Sequence, residues 1–370
     1  MATGGESPGE DLGRTAHVGP FISVCVVTGS RPKALAALLV SLRSQVDAPA
    51  FEVLVCGTAD PEVAGLVRNY FPSAQVGLAS AVRLGGARNF LLPAARGHWL
   101  YFLDDDVIIA PHVLASLAEL SSRHPEVGVF GGPNDTPPGS SRFQSTQGAV
   151  LGSLAGSGPV RRRYTAHRSV PARERDLILC NLAVKREVMV PFNASLTGGE
   201  ENGLLSQLAR SGVAMRYEPS LALYHERRPD LRSFARQMYK YGVGRGQVLD
   251  HSIKVLGTPY LLPVALLVYL AFLPVLAWLS LWALVPLGVY LAWIVGGALK
   301  VALGYPRERR TAFAVSLVLL PIVHIAYATG VVRGLVRRSE APDGQFRWLD
   351  AANDRTENGT PRTTFTAAID

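Results

Sequence analysis

Two long uncharged stretches constrain the fold of this chain more than any other feature. Asp, Glu, Lys and Arg are absent from the 45 residues between Lys254 and Lys300, and from the 22 residues between Arg310 and Arg333. A 45-residue helix would be about 68 Å long at about 1.5 Å per residue. That is about twice the thickness of the hydrocarbon core of a bilayer, which is about 30 Å. The first stretch therefore predicts two membrane-spanning helices rather than one.

We place these two helices at Thr258–Leu279 and Trp282–Leu303, and a third apolar segment at Thr311–Val332. The third segment is also long enough to span a bilayer. The whole chain has a mean hydropathy of +0.19 and only 18% charged residues. Typical soluble domains contain about 25% charged residues, so this composition agrees with apolar segments that belong to a membrane.

The distribution of Lys and Arg predicts the orientation. Met1–Pro20 carries acidic residues and lacks an apolar leader, so the first domain is expected to stay in the cytoplasm. Basic residues crowd the segment before the first span and the loop Arg307–Arg310, which the positive-inside rule places on the cytoplasmic side of the cell (inner) membrane. A two-helix hairpin satisfies this rule. A third span would export the arginines that follow it, so Thr311–Val332 is either a span that violates the rule or a re-entrant or interfacial segment.

The region before the membrane segments has the pattern of an α/β domain with a mostly parallel sheet and flanking helices. Short apolar runs alternate with amphipathic runs, which is typical of this fold class. We predict a disordered tail over residues 1–19, the α/β domain over 20–250, the membrane domain over 251–338 and a polar tail over 339–370. Residues Asn134–Asp176 lose periodicity and are predicted to be irregular. The strands are expected at Ile22–Val27, Phe51–Val55 and Trp99–Leu103, and the helices at Ala34–Gln45, Glu62–Tyr70 and Pro111–Ser122.

Cysteine number and charge argue against two common classes of protein. The three cysteines, Cys25, Cys56 and Cys180, are far apart and odd in number, which argues against a disulfide framework or a zinc site. The net charge of +8 would suit a nucleic-acid-binding protein. Much of the basic charge flanks the membrane segments, however, so membrane lipids are the expected partner and nucleic acid is not.

Three consecutive acids follow an apolar predicted strand. The segment WLYFLDDDV, Trp99–Val107, delivers Asp104, Asp105 and Asp106 at the carboxyl end of the strand, where ligands of open α/β sheets bind. Because side chains alternate along an extended chain, Asp104 and Asp106 point to one side and can share a hard divalent cation that bridges a diphosphate. Taken alone, the three acids also fit a solvated turn or a helix cap.

With three further segments, this motif resembles family 2 glycosyltransferases of the GT-A fold over nearly all of residues 21–250. The opening ISVCVVTGSRP is similar to the first strand of that family and its turn, which implies that Thr28, Ser30 and Arg31 lie near the donor nucleotide. The segment RLGGARN resembles the stretch before the metal motif, which implies that Arg88 faces phosphate.

The same resemblance assigns roles to the three acids. It implies that Asp106 binds Mn²⁺ or Mg²⁺, that Asp104 helps to hold the metal or the ribose, and that Asp105 lies at the nucleotide sugar. One position departs from the family pattern. Cys56 stands where the family usually has an Asp that recognises the base. Either Asp60 replaces that carboxylate from a shifted loop, or backbone groups recognise the base.

The segment TGGEENGL resembles the acidic pair that supplies the catalytic base in this family. An inverting transfer needs a carboxylate to take the proton of the acceptor hydroxyl as the oxygen attacks. The resemblance implies that Glu201 is this base and that Glu200 supports it. The alternative is a pair of acids that cap the following helix.

The segments LALYHERRP and FARQMYKYGVGRG resemble the end of the catalytic domain in exopolysaccharide enzymes of the succinoglycan-synthesis type. This implies His225 as a third metal ligand, with a simply packed histidine as the alternative. It also places Arg236, Gln237 and Arg245 at the donor diphosphate or an acceptor phosphate, although a basic helix at the lipid head groups fits too. The run Arg161–Arg163 is expected to be a solvated charge run, with contact to the phosphates of a lipid carrier as the alternative.

These features together predict an inverting, metal-dependent transferase for polysaccharide or glycoconjugate synthesis. Its partners would be a nucleotide-sugar donor and a membrane-associated acceptor, polyprenyl-linked or a free saccharide. Two alternatives stay open. One is a membrane scaffold that binds nucleotide without turnover, and the other is a processive polysaccharide synthase. A synthase is expected to carry a QxxRW-like motif and more spans, and RQMYKYG is only a loose counterpart of that motif.

Overall fold

The computed structural model describes residues 19–29, 31–58, 61–80, 83–251, 260–336 and 345–349. Two predicted site residues, Ser30 and Asp60, lie outside these ranges. So do residues 1–18 and most of the predicted polar tail.

Within the described ranges, nine strands form one mixed sheet in the order β12-β3-β2-β1-β4-β9-β6-β10-β8. Its central strands β3, β2, β1 and β4 are parallel, and β9 enters antiparallel between β4 and β6. The predicted α/β fold is confirmed. The strands are β1 (Ile22–Thr28), β2 (Phe51–Thr58), β3 (Gln75–Ser80), β4 (Trp99–Asp104), β5 (Val107–Ile109), β6 (Val127–Gly131), β7 (Asn134–Asp135), β8 (Val170–Pro171), β9 (Asn181–Lys185), β10 (Ala214–Tyr217), β11 (Leu223–His225) and β12 (Gln345–Trp348).

A second, three-stranded sheet in the order β5-β11-β7 lies beside the carboxyl end of β4. In it β11 pairs antiparallel with β5, and His225 stands opposite Val107. Because Val107 directly follows the three acids, this pairing brings His225 next to Asp106, 119 positions away in sequence.

Helices cover both faces of the large sheet, which is why all seven residues of β1 are buried. The helices predicted at Ala34–Gln45, Glu62–Tyr70 and Pro111–Ser122 are confirmed as α1, α2 and α4, with ends shifted by at most two residues. The helices of the described residues are α1 (Pro32–Arg43), α2 (Pro61–Tyr70), α3 (Leu84–Leu91), α4 (Val113–Arg123), α5 (Arg142–Leu151), α6 (Leu154–Ser157), α7 (Glu200–Arg210), α8 (Leu231–His251), α9 (Leu262–Leu279), α10 (Val285–Leu303) and α11 (Arg309–Val336).

The prediction that Asn134–Asp176 is irregular is wrong where α5 and α6 form. The first turn of α5 is closed by a capping box. Ser141 Oγ accepts from the backbone of Gln144 at 3.2 Å, and Gln144 Oε1 accepts from the backbone of Ser141 at 3.1 Å. The spacing of Ser141 and Gln144 is a helix-start signal in the sequence. The many glycines and serines of the segment led to the prediction of irregular structure instead.

The C-terminal half holds the apolar helices. In the described residues, α9, α10 with its preceding turn, and α11 with its preceding turn are long and apolar enough to cross a membrane. They differ in burial. None of α9 is buried within the protein, whereas about two fifths of the most apolar window of α11 is. The third segment is thus a helix that packs extensively on the rest of the chain.

A strand forms inside the predicted polar tail. Gln345–Trp348 pairs antiparallel with β3 and becomes the edge of the large sheet. Two alternating aromatic residues explain this, because Phe346 and Trp348 both stack on Phe90 of α3, with centroids 4.9 and 4.4 Å apart. The chain thus returns from the apolar helices to the α/β domain.

Candidate metal and donor-binding site

The strand β4 ends at Asp104, and Asp105 and Asp106 form the turn to β5. Asp105 is fully buried and points back to the first strand. It accepts hydrogen bonds from Thr28 Oγ1 at 2.6 Å and from the backbone of Gly29 at 3.3 Å, and it pairs with Arg31. Burial raises the pKa of Asp105, and these contacts oppose the shift. Asp105 therefore fastens the loop after β1 to the acidic turn.

Asp106 and His225 form the second contact of this turn. His225 Nε2 lies 3.1 Å from Asp106 Oδ1, and Arg31 pairs with the other carboxylate oxygen. Burial would raise the pKa of Asp106, but His225 and Arg31 outweigh it and hold that pKa well below its usual value. Burial would likewise lower the pKa of His225, but the Asp106 carboxylate raises it to about 10. The imidazole Nε2 thus faces the acidic turn, and it would have to be deprotonated to serve as a metal ligand there.

Asp104, Asp106 and His225 form a group that can hold a divalent metal ion. One ligand atom of each lies within 4.8 Å of the others. Two ligands on opposite sides of an ion stand about 4 to 5 Å apart at the metal–oxygen distances of Mg²⁺ and Ca²⁺. The group therefore has the right size. Two carboxylates and one imidazole suit Mg²⁺ or Mn²⁺, because carboxylate oxygen is the preferred donor of both.

Arg88 joins this group to the second acidic motif. Its guanidinium, nearly fully buried on α3, donates to Asp104 Oδ1 at 3.0 Å and to Glu200 Oε1 at 2.6 Å. Both acids are far from Arg88 in sequence. The structure places the Arg88 guanidinium between two carboxylates. Its positive charge is therefore balanced by these acids of the protein, and a donor phosphate would lie beyond them.

The acidic pair opens α7. Gly199, just before it, has a φ of +70°, a left-handed conformation that glycine adopts without strain. Both acids are buried, and they face different neighbours. Glu200 meets Arg88, whereas Glu201 accepts from Asn202 at 3.1 Å and lies 3.4 Å from Arg163. Burial raises the pKa of Glu200 although Arg88 opposes this, and the charge of Glu201 adds to the rise.

Arg163 is a site residue that the sequence did not reveal. It is buried and donates to Asn202 Oδ1 at 3.0 Å and to the backbone oxygens of Glu174 and Arg175. The expectation of a solvated charge run is therefore wrong for this member of Arg161–Arg163. Nothing in the sequence distinguishes it, because its partners lie in other elements.

The three predicted residues of α8 lie apart from the acidic turn. Arg236 is exposed, and the amide oxygen of Gln237 accepts from the Tyr241 hydroxyl at 3.1 Å and from Arg228 at 3.3 Å. Arg245 is buried, donates to Asn202 at 2.8 Å and stacks over the ring of Tyr260 at 4.0 Å. Among the described residues, no recorded contact joins these three to Asp104 or Asp106. Arg245 instead borders the acidic pair through Asn202.

The sheet order, with metal-competent acids at the carboxyl end of β4, defines a GT-A α/β fold. A solved structure shares it: the mannosyltransferase PcManGT from Pyrobaculum calidifontis, in complex with GDP-Man and Mn²⁺. It is 19% identical, with a TM-score of 0.53, over 85% of this chain and 87% of that chain. Residues 1–349 of TarS from S. aureus, solved with UDP-GlcNAc, are 18% identical over 84% of this chain and 91% of that chain, with a TM-score of 0.45.

Residues 23–189 match the family model described as glycosyl transferase family 2. This part, just under half of the chain, is therefore similar to family 2 glycosyltransferases, and the chain shares the GT-A fold. No curated protein sequence matches it.

Proposed function

We propose that this protein is an inverting, metal-dependent glycosyltransferase of the exopolysaccharide-synthesis type. It would move a sugar from a nucleoside-diphosphate donor to a membrane-associated acceptor. The observation that carries this proposal is the Asp104–Asp106–His225 group at the carboxyl end of β4. The GDP-Man and Mn²⁺ bound to PcManGT, which shares the fold, support a nucleotide-sugar donor and a divalent ion.

Asp104, Asp106 and His225 would hold the ion. A divalent cation there supplies positive charge where the leaving diphosphate becomes negative. Arg31 would act on the same diphosphate. It pairs with Asp105 and Asp106, and almost half of its side chain is exposed. Once Asp106 is engaged as a metal ligand, Arg31 would turn its half-exposed guanidinium towards the donor phosphates.

The two acids of the pair would have different roles, one on the donor side and one on the acceptor side. Glu200 is engaged with Arg88, which also bonds to Asp104, so Glu200 positions the donor side. Glu201 faces Arg163 and the α8 side, where an acceptor would arrive from the membrane. We assign Glu201 as the base that takes the proton of the acceptor hydroxyl and Glu200 as its positioning residue.

The membrane helices favour a lipid-linked acceptor, such as a polyprenyl-diphosphate saccharide. Arg163 and Arg245 both bond to Asn202, the residue after Glu201. The chain just beyond Arg245 leads into α9. The proposed base would thus lie in the part of the domain from which the chain leads to the membrane helices. The distribution of basic residues supports a catalytic domain on the cytoplasmic side of the inner membrane.

Sugar transfer by the purified full-length protein tests the proposal. We would incubate it with a panel of nucleotide sugars and a membrane lipid extract, with Mn²⁺, with Mg²⁺ or with a chelator. The expected result is divalent-ion-dependent release of a nucleoside diphosphate together with sugar in the lipid fraction. Nucleotide binding with no turnover across the panel would favour the scaffold. A long polymer from a single binding event would favour the processive synthase.

A further inference from the structure

Helix α11 contacts the α/β domain along its whole length. Just before it begins, Tyr305 donates to the backbone of Ser145 at 2.9 Å, and Glu308 pairs with Arg142 at 2.8 Å. Near its middle, His324 lies 2.8 Å from the backbone oxygen of Ala155. A helix of 28 residues is about 42 Å long at about 1.5 Å per residue. Contacts spread over such a length mean that α11 lies along the domain rather than pointing away from it.

The last turns of α11 are held by four glycines, which we call the glycine clamp: Gly242 and Gly246 on α8, and Gly330 and Gly334 on α11. A Cβ on Gly242 would lie 2.1 Å from the backbone oxygen of Tyr327, and a Cβ on Gly330 would lie 2.1 Å from that of Tyr239. The two backbones are therefore in direct contact. Glycines spaced four apart are the usual means by which helices in membranes approach so closely.

The other side of α8 holds the loop that leads to the acidic pair. A Cβ on Gly244 would lie 2.0 Å from the backbone oxygen of Gly198. Gln247 Oε1 accepts from both the backbone and the hydroxyl of Thr197, at 2.9 and 2.7 Å. Thus α11, α8 and the loop before Glu200 form one packed unit that belongs to the α/β domain.

The chain after α11 returns to the same domain. Only nine residue steps separate Val336 from Gln345, where β12 begins. An extended chain of that length reaches about 30 Å. A bilayer with its head groups is about 40 to 45 Å thick. If α11 ended on the far side of the membrane, β12 could not pair with β3. Both ends of α11 therefore lie on the side of the α/β domain.

The hairpin of α9 and α10 is less covered by the rest of the chain, although one face of the second half of α10 packs on α6 and α11. Four residues of that face are buried: Ile294, Ala298, Val301 and Ala302. The two ends of the hairpin meet the domain, through the stack of Arg245 on Tyr260 and through the bond of Tyr305 to Ser145. Between them, no residue of α9 is buried, and its 18 residues span about 27 Å, close to the hydrocarbon core. The tip carries four apolar residues that are 67 to 84% exposed: Trp278, Leu279, Leu281 and Trp282.

We propose that the hydrocarbon of the bilayer covers α9, the tip of the hairpin and the exposed face of α10, and that α11 is a docked helix of the catalytic domain at the membrane surface. The domain and β12 then lie on one side. This inference rests on the proposed function only in taking the apolar helices as a membrane anchor. It also removes the conflict with the positive-inside rule, because no third span exports the arginines after α11.

Accessibility of introduced cysteines tests this arrangement in the full-length protein. The exposed positions are Arg310→Cys before the apolar part of α11, Gln345→Cys in β12, Leu281→Cys at the tip and Ser122→Cys as a reference on the domain. The native cysteines are buried, so wild type gives the background. Sealed membrane vesicles of known orientation are treated with a membrane-impermeant maleimide, with and without detergent permeabilisation.

We expect Arg310→Cys, Gln345→Cys and Ser122→Cys to react with the maleimide from the same face of the membrane. Leu281→Cys should not react from that face. Reaction of Arg310→Cys and Gln345→Cys from opposite faces would overturn the proposal, because α11 would then cross. Reaction of Leu281→Cys from the domain's face in sealed vesicles would also overturn it. Labelling needs no sugar transfer, so an inactive protein with the expected labelling would refute the proposed function and leave the topology standing.

Discussion

Arg88 and Glu200 form a buried ion pair of 2.6 Å between α3 and the first residue of α7. Because the same guanidinium also bonds to Asp104, the two acidic motifs are mechanically joined. A movement of the acidic turn on nucleotide binding would therefore be transmitted through Arg88 to the acidic pair.

Removing this arginine should destabilise the protein strongly. Arg88→Met leaves Glu200 buried without its partner, and breaking a buried pair from one side costs about 3 to 5 kcal/mol. Chemical denaturation measures the loss. Arg96→Met is the matched control, since Arg96 is largely exposed in its pair with Glu52 and such pairs contribute about 0 to 1 kcal/mol. Equal losses in the two variants would show that the pair with Glu200 has no special weight. The double variant Arg88→Met, Glu200→Gln should recover part of the stability.

Removing the carboxylate of Asp106 should abolish sugar transfer and the metal dependence of nucleotide binding. A hard cation needs oxygen ligands, and the diphosphate needs the cation. Calorimetric titration of a nucleoside diphosphate into Asp106→Ala, with and without Mn²⁺, is the measurement. Glu119→Gln, which removes an exposed carboxylate, is the control and should behave as wild type. If the variant and wild type showed the same dependence on Mn²⁺, the acidic turn would not be a metal site.

Substitution of the acidic pair should separate base from support. Glu201→Gln keeps the shape of the side chain but cannot take a proton, so turnover should fall about 10² to 10⁴-fold while donor affinity is retained. Glu200→Gln should cost less turnover and more donor affinity, because it loosens Arg88 beside Asp104. Initial rates and donor titrations at saturating metal distinguish the role of the base from that of the positioning residue. Full activity in Glu201→Gln with loss in Glu200→Gln alone would move the base by one residue.

Filling the glycine clamp should separate α8 from α11. In Gly330→Ala the new methyl group would meet the backbone oxygen of Tyr239, and such crowding costs about 1 to 3 kcal/mol. Gly296→Ala on α10 is the control, since a Cβ there meets no atom within 4 Å. Thermal unfolding in detergent should show a lower Tm for Gly330→Ala and no decrease for Gly296→Ala. An unchanged Tm in both would mean that the helices do not press together as described.

Local patterns predict the elements of this fold well, because burial imposes them directly. The apolar run Trp99–Leu103 and the acids after it give both β4 and the metal-competent turn. The pattern of Leu35, Leu38, Leu39 and Leu42 gives the buried face of α1. The apolar helices follow from their length alone.

Contacts between distant segments are what the sequence could not supply. The role of Arg163 depends on a fold that brings it to Asn202, and the run of three arginines has no periodic signal. The glycines at 242, 246, 330 and 334 look like ordinary glycines until α8 and α11 meet. Similarly, Phe346 and Trp348 lie in a polar tail and find their partner, Phe90, only through tertiary packing.

The pairing of β12 with β3 also has a consequence for how the protein can be handled. Without Gln345–Trp348, β3 would present a row of unpaired N–H and C=O groups at the rim of the sheet, together with the uncovered ring of Phe90. Open strands of this kind recruit strands from other molecules. A chain shortened to end before β12 would therefore be expected to self-associate even in detergent, and an affinity tag is better joined to the other terminus.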